Sequence, residues 1–212
     1  VVRTHVDAFA PRDGGRAAGH GAVAQIVLGC LDIVEIDPAC LVQLAHRHGR
    51  AFPVARVGNA FDDHRLQLSS SAQIAALLAN AGLEVVLLDM ADQDAAGGLE
   101  RALQSRPPAF FTPALAEKVK TGSFADLSVL AEVDWIVEAV VEDLEIKQAL
   151  LSQVEEYAKP QAIISTNTSG LSIAAIAAAR GEAFNRRFLG IHFFNPPRYM
   201  RLVELIPGPA TE

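Results

Sequence analysis

The residues of this chain that are best suited to chemistry lie near its end, where one histidine interrupts an apolar run. His192 stands within residues 188–194, a run that predicts a buried strand, and Asn195 and two prolines then stop it. A second short apolar run, residues 202–206, carries one carboxylate, Glu204. A histidine at a strand end, with a carboxylate on a neighbouring strand, is the arrangement that orients and charges a general base. The alternative is a core histidine bonded to the backbone and a solvated glutamate.

The elements that must position these residues are strands and helices that alternate from residue 71 onward. Residues 71–82 predict a helix with a serine cap and a glycine stop, and residues 83–89 follow at once as an apolar strand. A strand this apolar suits a parallel sheet that is buried on both faces. Further strands are predicted at residues 134–141 and 162–165, and further helices at residues 91–104, 113–121, 125–132, 144–158 and 172–180. The alternation predicts an α/β fold with a doubly wound, mostly parallel sheet.

Polar clusters fall at the carboxyl ends of three of these predicted strands, at residues 138–142, 165–169 and 192–195. Ligands of doubly wound sheets bind beyond the carboxyl ends of the strands, so we expect the three clusters to converge on one edge. Asp89 closes another strand, about twenty residues after the place of the glycine turn in a dinucleotide-binding fold, where an acid holds ribose hydroxyls. The alternative for Asp89 is a strand terminator or helix cap.

Four ordered motifs in this part of the chain resemble the NAD-binding domain of the 3-hydroxyacyl-CoA dehydrogenases. They are residues 80–89, residues 134–147, Ser-Thr-Asn-Thr-Ser at residues 165–169, and His-Phe-Phe-Asn-Pro-Pro from His192. The similarity runs from about Ala72 to the last residues, and it looks most like the bacterial β-oxidation members that can be fused to an enoyl-CoA hydratase. The resemblance implies a Rossmann-like fold and NAD as cofactor. It also implies oxidation of the 3-hydroxyl of a 3-hydroxyacyl-CoA thioester to 3-oxoacyl-CoA in fatty-acid β-oxidation.

The same resemblance implies the catalytic residues. His192 would be the base that takes the proton of the 3-hydroxyl as hydride leaves C3 for NAD, and Glu204 would orient His192 and stabilise its protonated form. Ser169 would lie near the substrate oxygen. A turn or capping role is the alternative for Ser169.

Five residues are implied as cofactor contacts. Asp89 would hold the adenosine ribose of NAD. The nicotinamide half would be contacted by Glu142, Lys147, Ser169 and Asn195. The alternative for Glu142 and Lys147 is that they are ordinary charges of a helix, one in its first turn and one exposed.

The start of the chain departs from the family pattern. The family has a buried strand and a glycine-rich turn directly before the helix predicted at residues 71–82. Alignment on Ala72 puts Leu66, Leu68 and Ser71 at the positions of those glycines. A leucine there would block the approach of the backbone to the pyrophosphate and remove the freedom to adopt positive φ. The first strand and glycine turn are therefore missing or replaced.

Composition changes at the same point. Residues 1–70 hold seven arginines, no lysine and five of the six histidines. We expect an atypical segment there, then an incomplete dinucleotide-binding domain at residues 71–212, with the family's helical C-terminal domain absent. Two explanations stay open. The chain could be a fragment whose upstream segment is unrelated or read in a shifted frame, or residues 22–30 could replace the central strand. The full-length parent is expected to be a homo-oligomer through the missing domain.

Composition also argues against other classes of function. The net charge of −7 argues against a nucleic-acid surface, and no apolar run has membrane-spanning length. Cys30 and Cys40 form no disulfide or metal framework, so reduced thiols in the cytoplasm are the simplest interpretation. The histidines His46, His48 and His64 have no carboxylate or cysteine at a ligand spacing, and no metal site is expected.

Two classes of function remain open for this chain. The site residues favour an NAD-dependent oxidoreductase module that acts on 3-hydroxyacyl-CoA. The missing glycines favour a non-catalytic fragment that keeps the α/β core and binds no cofactor.

Overall fold

A computed structural model describes residues 2–5, 24–29, 70–200 and 202–212. Its strands are β1 (Val2–His5), β2 (Ala24–Gly29), β3 (Glu84–Asp89), β4 (Val119–Ser123), β5 (Trp135–Ala139), β6 (Ile163–Thr166), β7 (Phe188–Phe193) and β8 (Leu202–Pro207). Its α-helices are α1 (Ser70–Asn80), α2 (Asp92–Gln104), α3 (Leu144–Tyr157), α4 (Ile173–Ala177) and α5 (Glu182–Arg186). Short 3₁₀ helices cover Pro113–Lys118 and Ser128–Glu132.

These strands form one sheet in the order β1-β8-β7-β6-β5-β2-β3-β4. The six strands from β7 to β4 are parallel, whereas β8 pairs antiparallel with both β7 and β1. Counted from β2, the parallel part has the order 3-2-1-4-5-6 that is typical of dinucleotide-binding folds. The expected α/β fold with a mostly parallel, Rossmann-like sheet is confirmed.

The strand at the centre of the sheet is β2, which lies between β3 and β5. Ala24 pairs with Glu84 at one end of the β2–β3 ladder, and Gly29 pairs with Ala139 at the end of the β2–β5 ladder. Residues 24–29, within the run at residues 22–30, therefore supply the central strand, as the replacement hypothesis expects. Leu66 and Leu68, which align with the family's glycines, lie outside the described residues.

Helix α1 leads from the amino-terminal segment into β3 through a tight glycine cap. The Leu83 N–H donates to the Leu78 carbonyl at 3.2 Å, and the Gly82 N–H donates to the Ala79 carbonyl at 2.9 Å. Gly82 has φ of 90°, a left-handed conformation that glycine adopts without steric cost. The predicted glycine stop of this helix is thereby confirmed.

The core lies in two layers, one on each face of the sheet. Helices α1 and α2 bury alanines, Ile74 and Leu78 on one face, and α3, α4 and α5 bury Leu151, Ile176 and Phe184 on the other. Close approach on the second face depends on Gly190 of β7, because a Cβ there would lie 2.7 Å from the Ile173 side chain. The sheet is thus covered on both faces, as its continuous apolar strands predict.

Three predicted helices differ from the structure. The helix predicted at residues 113–121 is a 3₁₀ helix followed by the edge strand β4, in which Val119 is buried and Lys120 is exposed. Only the second half of the helix predicted at residues 125–132 forms, and it is a 3₁₀ helix. The helix predicted at residues 172–180 ends at Ala177, and extended backbone at Gly181 precedes a further helix, α5.

Neither a membrane helix nor a metal cluster occurs in the described ranges. No helix there is long and apolar enough to cross a membrane. No three histidine, cysteine, aspartate or glutamate side chains of those ranges are grouped so that they could hold a metal ion. His46, His48 and His64 fall outside the residues that the structure describes.

Candidate active site

The residues predicted to carry chemistry lie at the carboxyl edge of the parallel sheet. Asp89 is the last residue of β3, Glu142 follows β5, Ser169 follows β6, and His192 and Asn195 lie at the end of β7. Parallel strands present their carboxyl ends on the same edge. The topology therefore brings together segments that are far apart in the sequence.

His192 and Glu204 form a pair across the β7–β8 ladder. The two residues are directly opposite in the antiparallel register, which puts both side chains on the same face. His192 Nδ1 lies 3.1 Å from Glu204 Oε2, and the two side chains are 20% and 17% exposed. The Phe194 ring packs against the imidazole with ring centroids 4.6 Å apart. Glu204 thus fixes Nδ1 of the histidine ring, and Phe194 packs against the ring.

The second ring nitrogen of His192 contacts Ser169. The Ser169 Oγ lies 3.0 Å from His192 Nε2. A carboxylate can only accept hydrogen bonds, so the neutral ring carries its proton on Nδ1 and donates it to Glu204. Nε2 then accepts a hydrogen bond from the Ser169 hydroxyl. Ser169 itself is exposed, so a ligand can reach both groups.

Residues 168–171, here called the serine turn, wrap around the carboxylate of Glu142. Glu142 Oε1 accepts hydrogen bonds from the Thr168 hydroxyl and from the backbone N–H groups of Ser169 at 3.0 Å, Gly170 at 2.8 Å and Leu171 at 3.3 Å. Burial, the largest single effect, raises the pKa of Glu142. The hydrogen bonds from Thr168, Gly170 and Ser169 and the charge of Lys147 outweigh it, so that the pKa falls below its ordinary value of 4.5.

Lys147 lies behind Glu142, with no exposure to solvent. Its ammonium donates to Glu138 Oε1 at 2.8 Å and to the Val140 carbonyl at 3.1 Å, and it lies 3.5 Å from Glu142 Oε2. Lys147 occupies the inward face of α3 together with Leu151 and Val154. The structure therefore gives Lys147 a buried place in the core, not an exposed helix position.

Asp89 and Asn195 occupy other parts of the same edge. Asp89 is 3% exposed at the end of β3, next to the central strand, and its Oδ1 accepts the Met90 N–H at 2.7 Å. Asn195 is exposed and comes two residues after Phe193, the last residue of β7. Asp89 on β3 lies four strands along the sheet from His192 on β7.

Three residues that hold this site together were not predicted as site residues. Glu138 binds Lys147, Thr168 binds Glu142, and the Asn167 side chain accepts the Phe193 N–H at 2.9 Å and so ties the ends of β6 and β7 together. Glu138 had a signal in the sequence, because a carboxylate inside an otherwise apolar strand must find a partner. The burial of its partner Lys147 was also signalled, since Lys147 falls at helical spacing with the apolar residues Leu151 and Val154. Thr168 and Asn167 are turn residues whose partners depend on the packed structure.

Comparison with known proteins leads to one family. Residues 71–212 match the family model described as 3-hydroxyacyl-CoA dehydrogenase, NAD binding domain. The chain is 46% identical over 149 residues to a probable 3-hydroxyacyl-CoA dehydrogenase of Deinococcus radiodurans, a match that covers 66% of this chain and 43% of the relative. It is 39% identical over 147 residues to the 3-hydroxyadipyl-CoA dehydrogenase of Escherichia coli, covering 66% of this chain and 30% of the relative.

A solved structure gives the same result. The crystal structure of 3-hydroxybutyryl-CoA dehydrogenase from Escherichia coli matches with a TM-score of 0.56 and 33% identity. The match covers 67% of this chain and 31% of that chain. In each of these three comparisons the match spans less than half the length of the relative.

Proposed function

Since this chain belongs to the 3-hydroxyacyl-CoA dehydrogenase family, we propose that its site oxidises the 3-hydroxyl of a 3-hydroxyacyl-CoA thioester to a 3-oxoacyl-CoA with NAD. The observation that carries the proposal is the chain of contacts from the Ser169 hydroxyl through the His192 ring to the Glu204 carboxylate. The relatives named above differ in their acyl group but share the 3-hydroxyacyl-CoA thioester in their names. Fatty-acid oxidation is the pathway that this chemistry favours.

The proposed base is His192. Its Nε2 is unprotonated in the neutral ring and takes the proton of the 3-hydroxyl, while the C3–H bond breaks and a carbonyl forms. Glu204, on the other side of the ring, stabilises the imidazolium that results. The Ser169 hydroxyl donates a hydrogen bond to the substrate oxygen, which orients C3 relative to the base. His192 thus takes the proton, while Glu204 and Ser169 stabilise and position the groups between which it moves.

NAD is the cofactor of this domain family, and it supplies the hydride acceptor. The described residues fit NAD at its adenosine end, where the Asp89 carboxylate stands at the end of β3 as an acceptor for ribose hydroxyls. They fit it at the nicotinamide end through the exposed Ser169 and Asn195 and the part-exposed carboxylate of Glu142. We propose these four residues as the ones that hold the cofactor.

One observation favours a second candidate, a folded chain that does not bind NAD. Ser71, which aligns with the last of the family's glycines, lies in the first turn of α1 and is 2% exposed. A side chain at that position hinders the close packing that the glycine allows. This candidate keeps the α/β sheet and loses the pyrophosphate contact.

Turnover tests the proposal directly. The purified chain is expected to oxidise NADH in the presence of acetoacetyl-CoA, followed by nicotinamide absorbance. His192→Gln is expected to lower the rate by about 10²- to 10⁴-fold, because it removes the general acid–base group. Glu204→Gln should lower it less, and Glu156→Gln, on the exposed side of α3, should leave it unchanged. Equal rates for His192→Gln and the unsubstituted chain would refute the role of His192.

Three coarser proposals accompany this function. We propose that residues 71–212 are an incomplete dinucleotide-binding domain and that residues 1–70 are an atypical segment, of which residues 2–5 and 24–29 add strands to the sheet of that domain. A cytoplasmic location agrees with the two cysteines, Cys30 and Cys40, which have no framework spacing. The parent enzyme is proposed to be a homo-oligomer.

A further inference from the structure

An ion pair without any exposure to solvent lies directly behind the serine turn. Glu138 and Lys147 are both 0% exposed, with 2.8 Å between Oε1 and Nζ. Glu138 Oε1 also accepts the Val140 N–H at 2.7 Å, and Oε2 accepts the Thr166 hydroxyl at 2.6 Å. Burying two charges costs several kcal/mol per ion, and apolar groups of equal volume are often at least as stable. Stability alone is therefore a weak reason for this pair.

The ammonium of Lys147 lies near three oxygen atoms of the protein, of which two accept hydrogen bonds and the third forms an ion pair. They are Glu138 Oε1 at 2.8 Å, the Val140 carbonyl at 3.1 Å and Glu142 Oε2 at 3.5 Å. Two of the three N–H donors of the ammonium are thus used by Glu138 and Val140, and its charge also faces Glu142.

The contact between Lys147 and Glu142 connects the buried pair to the serine turn. Glu142 uses its two oxygens differently, with Oε2 toward Lys147 and Oε1 toward the four donors of the turn. Glu138 and Glu142 are both carboxylates, and the one ammonium between them balances their repulsion. Glu138 holds Lys147 in place, and Lys147 holds Glu142.

We propose that Glu138 and Lys147 are positioning residues of this site. The pair fixes the Glu142 carboxylate, Glu142 fixes the serine turn, and the turn holds the Ser169 hydroxyl 3.0 Å from His192 Nε2. The inference rests on the proposed function, since it explains how the turn of that same site is positioned. In this role Lys147 acts on the reaction through Glu142.

The test is a double variant, Glu138→Gln with Lys147→Met, which removes both buried charges and keeps their volume. Lys147→Met alone leaves a buried, unpaired carboxylate and is expected to lower the melting temperature strongly. The double variant is expected to recover most of that loss. Lys118→Met is the matched control, since it breaks a part-exposed ion pair with Glu84 that is remote from the serine turn.

Hydrogen exchange of the serine turn is the main readout. The Ser169 and Gly170 N–H groups are protected by the Glu142 carboxylate, and hydrogen bonds to a charged group are worth about 1.5–3 kcal/mol. In the double variant we expect these amides to exchange about tenfold faster or more, as loss of such a bond implies. The ¹⁵N resonance of His192 Nε2 should shift as well, because its contact with Ser169 loosens. Lys118→Met should change neither signal.

Two outcomes would overturn the proposal. If the double variant recovers stability with unchanged exchange at Ser169 and Gly170, the pair serves only the core. If the double variant loses NADH affinity while exchange stays unchanged, Lys147 contacts the cofactor directly. Neither the exchange nor the ¹⁵N readout needs bound nucleotide. A failure of the proposed function would instead show as absent NADH binding with the exchange result intact.

Discussion

The two ring nitrogens of His192 contact different kinds of group, and that difference sets the tautomer of the neutral ring. Nδ1 faces the Glu204 carboxylate at 3.1 Å, and Nε2 faces the Ser169 hydroxyl at 3.0 Å. A carboxylate only accepts hydrogen bonds, so Nδ1, which faces it, carries the proton of the neutral ring. Nε2 therefore keeps its lone pair for the proton that the reaction transfers. The orientation of a proposed base is thus encoded in one antiparallel residue pair.

The tautomer can be observed directly. In the ¹⁵N spectrum of the neutral ring, we expect Nδ1 to have the shift of a protonated nitrogen and Nε2 that of an unprotonated one. In Glu204→Gln the amide can donate as well as accept, so the population of the two tautomers should become mixed. Glu156→Gln serves as control and should leave the spectrum unchanged. A ring protonated on Nε2 in the unsubstituted chain would contradict the assignment.

The Glu142 carboxylate makes the stability of the fold vary with pH in the acid range. Its pKa in the folded chain is below the ordinary value of 4.5, so the fold favours the ionised form. Its contribution is therefore complete above pH 4.5 and is lost as the pH falls through the lower, folded-state pKa.

We expect the melting temperature of the unsubstituted chain to exceed that of Glu142→Gln at neutral pH, and the difference to shrink as the pH falls below 4.5. Thr168→Val removes one of the hydrogen bonds that lower this pKa. Its melting temperature should therefore depend less on pH in this range than that of the unsubstituted chain. Melting curves between pH 7 and pH 3 give the comparison. A difference that stays constant over this range would contradict the role of Glu142.

At the element scale, the turn between β7 and β8 is tied to the loop that follows α2. Arg198 Nη1 donates to the Pro108 and Phe110 carbonyls, both at 2.7 Å, and its guanidinium lies 4.6 Å from the centroid of the Phe111 ring. The Tyr199 hydroxyl donates to the same Pro108 carbonyl at 2.9 Å. These contacts fix the turn that carries Asn195, one of the proposed cofactor residues.

Removal of this contact should be measurable as a loss of stability. Arg198→Met is expected to lower the free energy of unfolding by about 1–3 kcal/mol, because charge-assisted hydrogen bonds and a cation–π contact are lost. Arg198→Lys keeps the charge but not the planar donor geometry, so its free energy of unfolding should lie between those of the unsubstituted chain and Arg198→Met. Urea unfolding measures all three chains, with the exposed Arg101→Met of α2 as control. Equal stability of Arg198→Met and Arg101→Met would contradict this account.

The elements that could be predicted from the sequence are those with strong local signals. The cap at Gly82 and the apolar strand that ends at Asp89 define α1 and β3 without reference to the rest of the chain. The antiparallel pairing of β8 and the edge strand β4 depend on distant partners, so no local pattern reveals them. At the site, His192, Glu204 and Ser169 were predicted from their strand ends and the family resemblance, and the structure brings them into contact. The ion pair of Glu138 and Lys147 needs the packing of α3 on β5.

At the scale of the whole molecule, the sheet depends on the amino-terminal strand β2. Val27 pairs with Leu87 of β3 on one side and with Val137 of β5 on the other. Without β2, these two parallel strands would each present an unpaired edge. The two halves of the sheet, and with them Asp89 and the site at His192, are held together through this strand.

Proline substitution tests that dependence. Val27→Pro removes a backbone donor from a strand that is paired on both sides, so we expect a loss on the order of 3 kcal/mol or more of unfolding free energy. Thr4→Pro in β1 is the control, because β1 pairs with β8 alone among the described strands and should tolerate proline better. Circular dichroism melts compare the two variants. Equal melting temperatures would mean that β2 does not hold the sheet together.

The measurement that tests the central claim most directly is a titration of the 212-residue chain with NADH, following fluorescence and thermal shift together. The account predicts saturable binding that raises the melting temperature, and loss of both effects in Asp89→Ala, because the ribose hydroxyls lose their acceptor. Glu156→Ala, near the carboxyl end of α3, should bind like the unsubstituted chain. A cooperative melt that NADH does not shift would contradict the claim and identify a folded chain without cofactor binding.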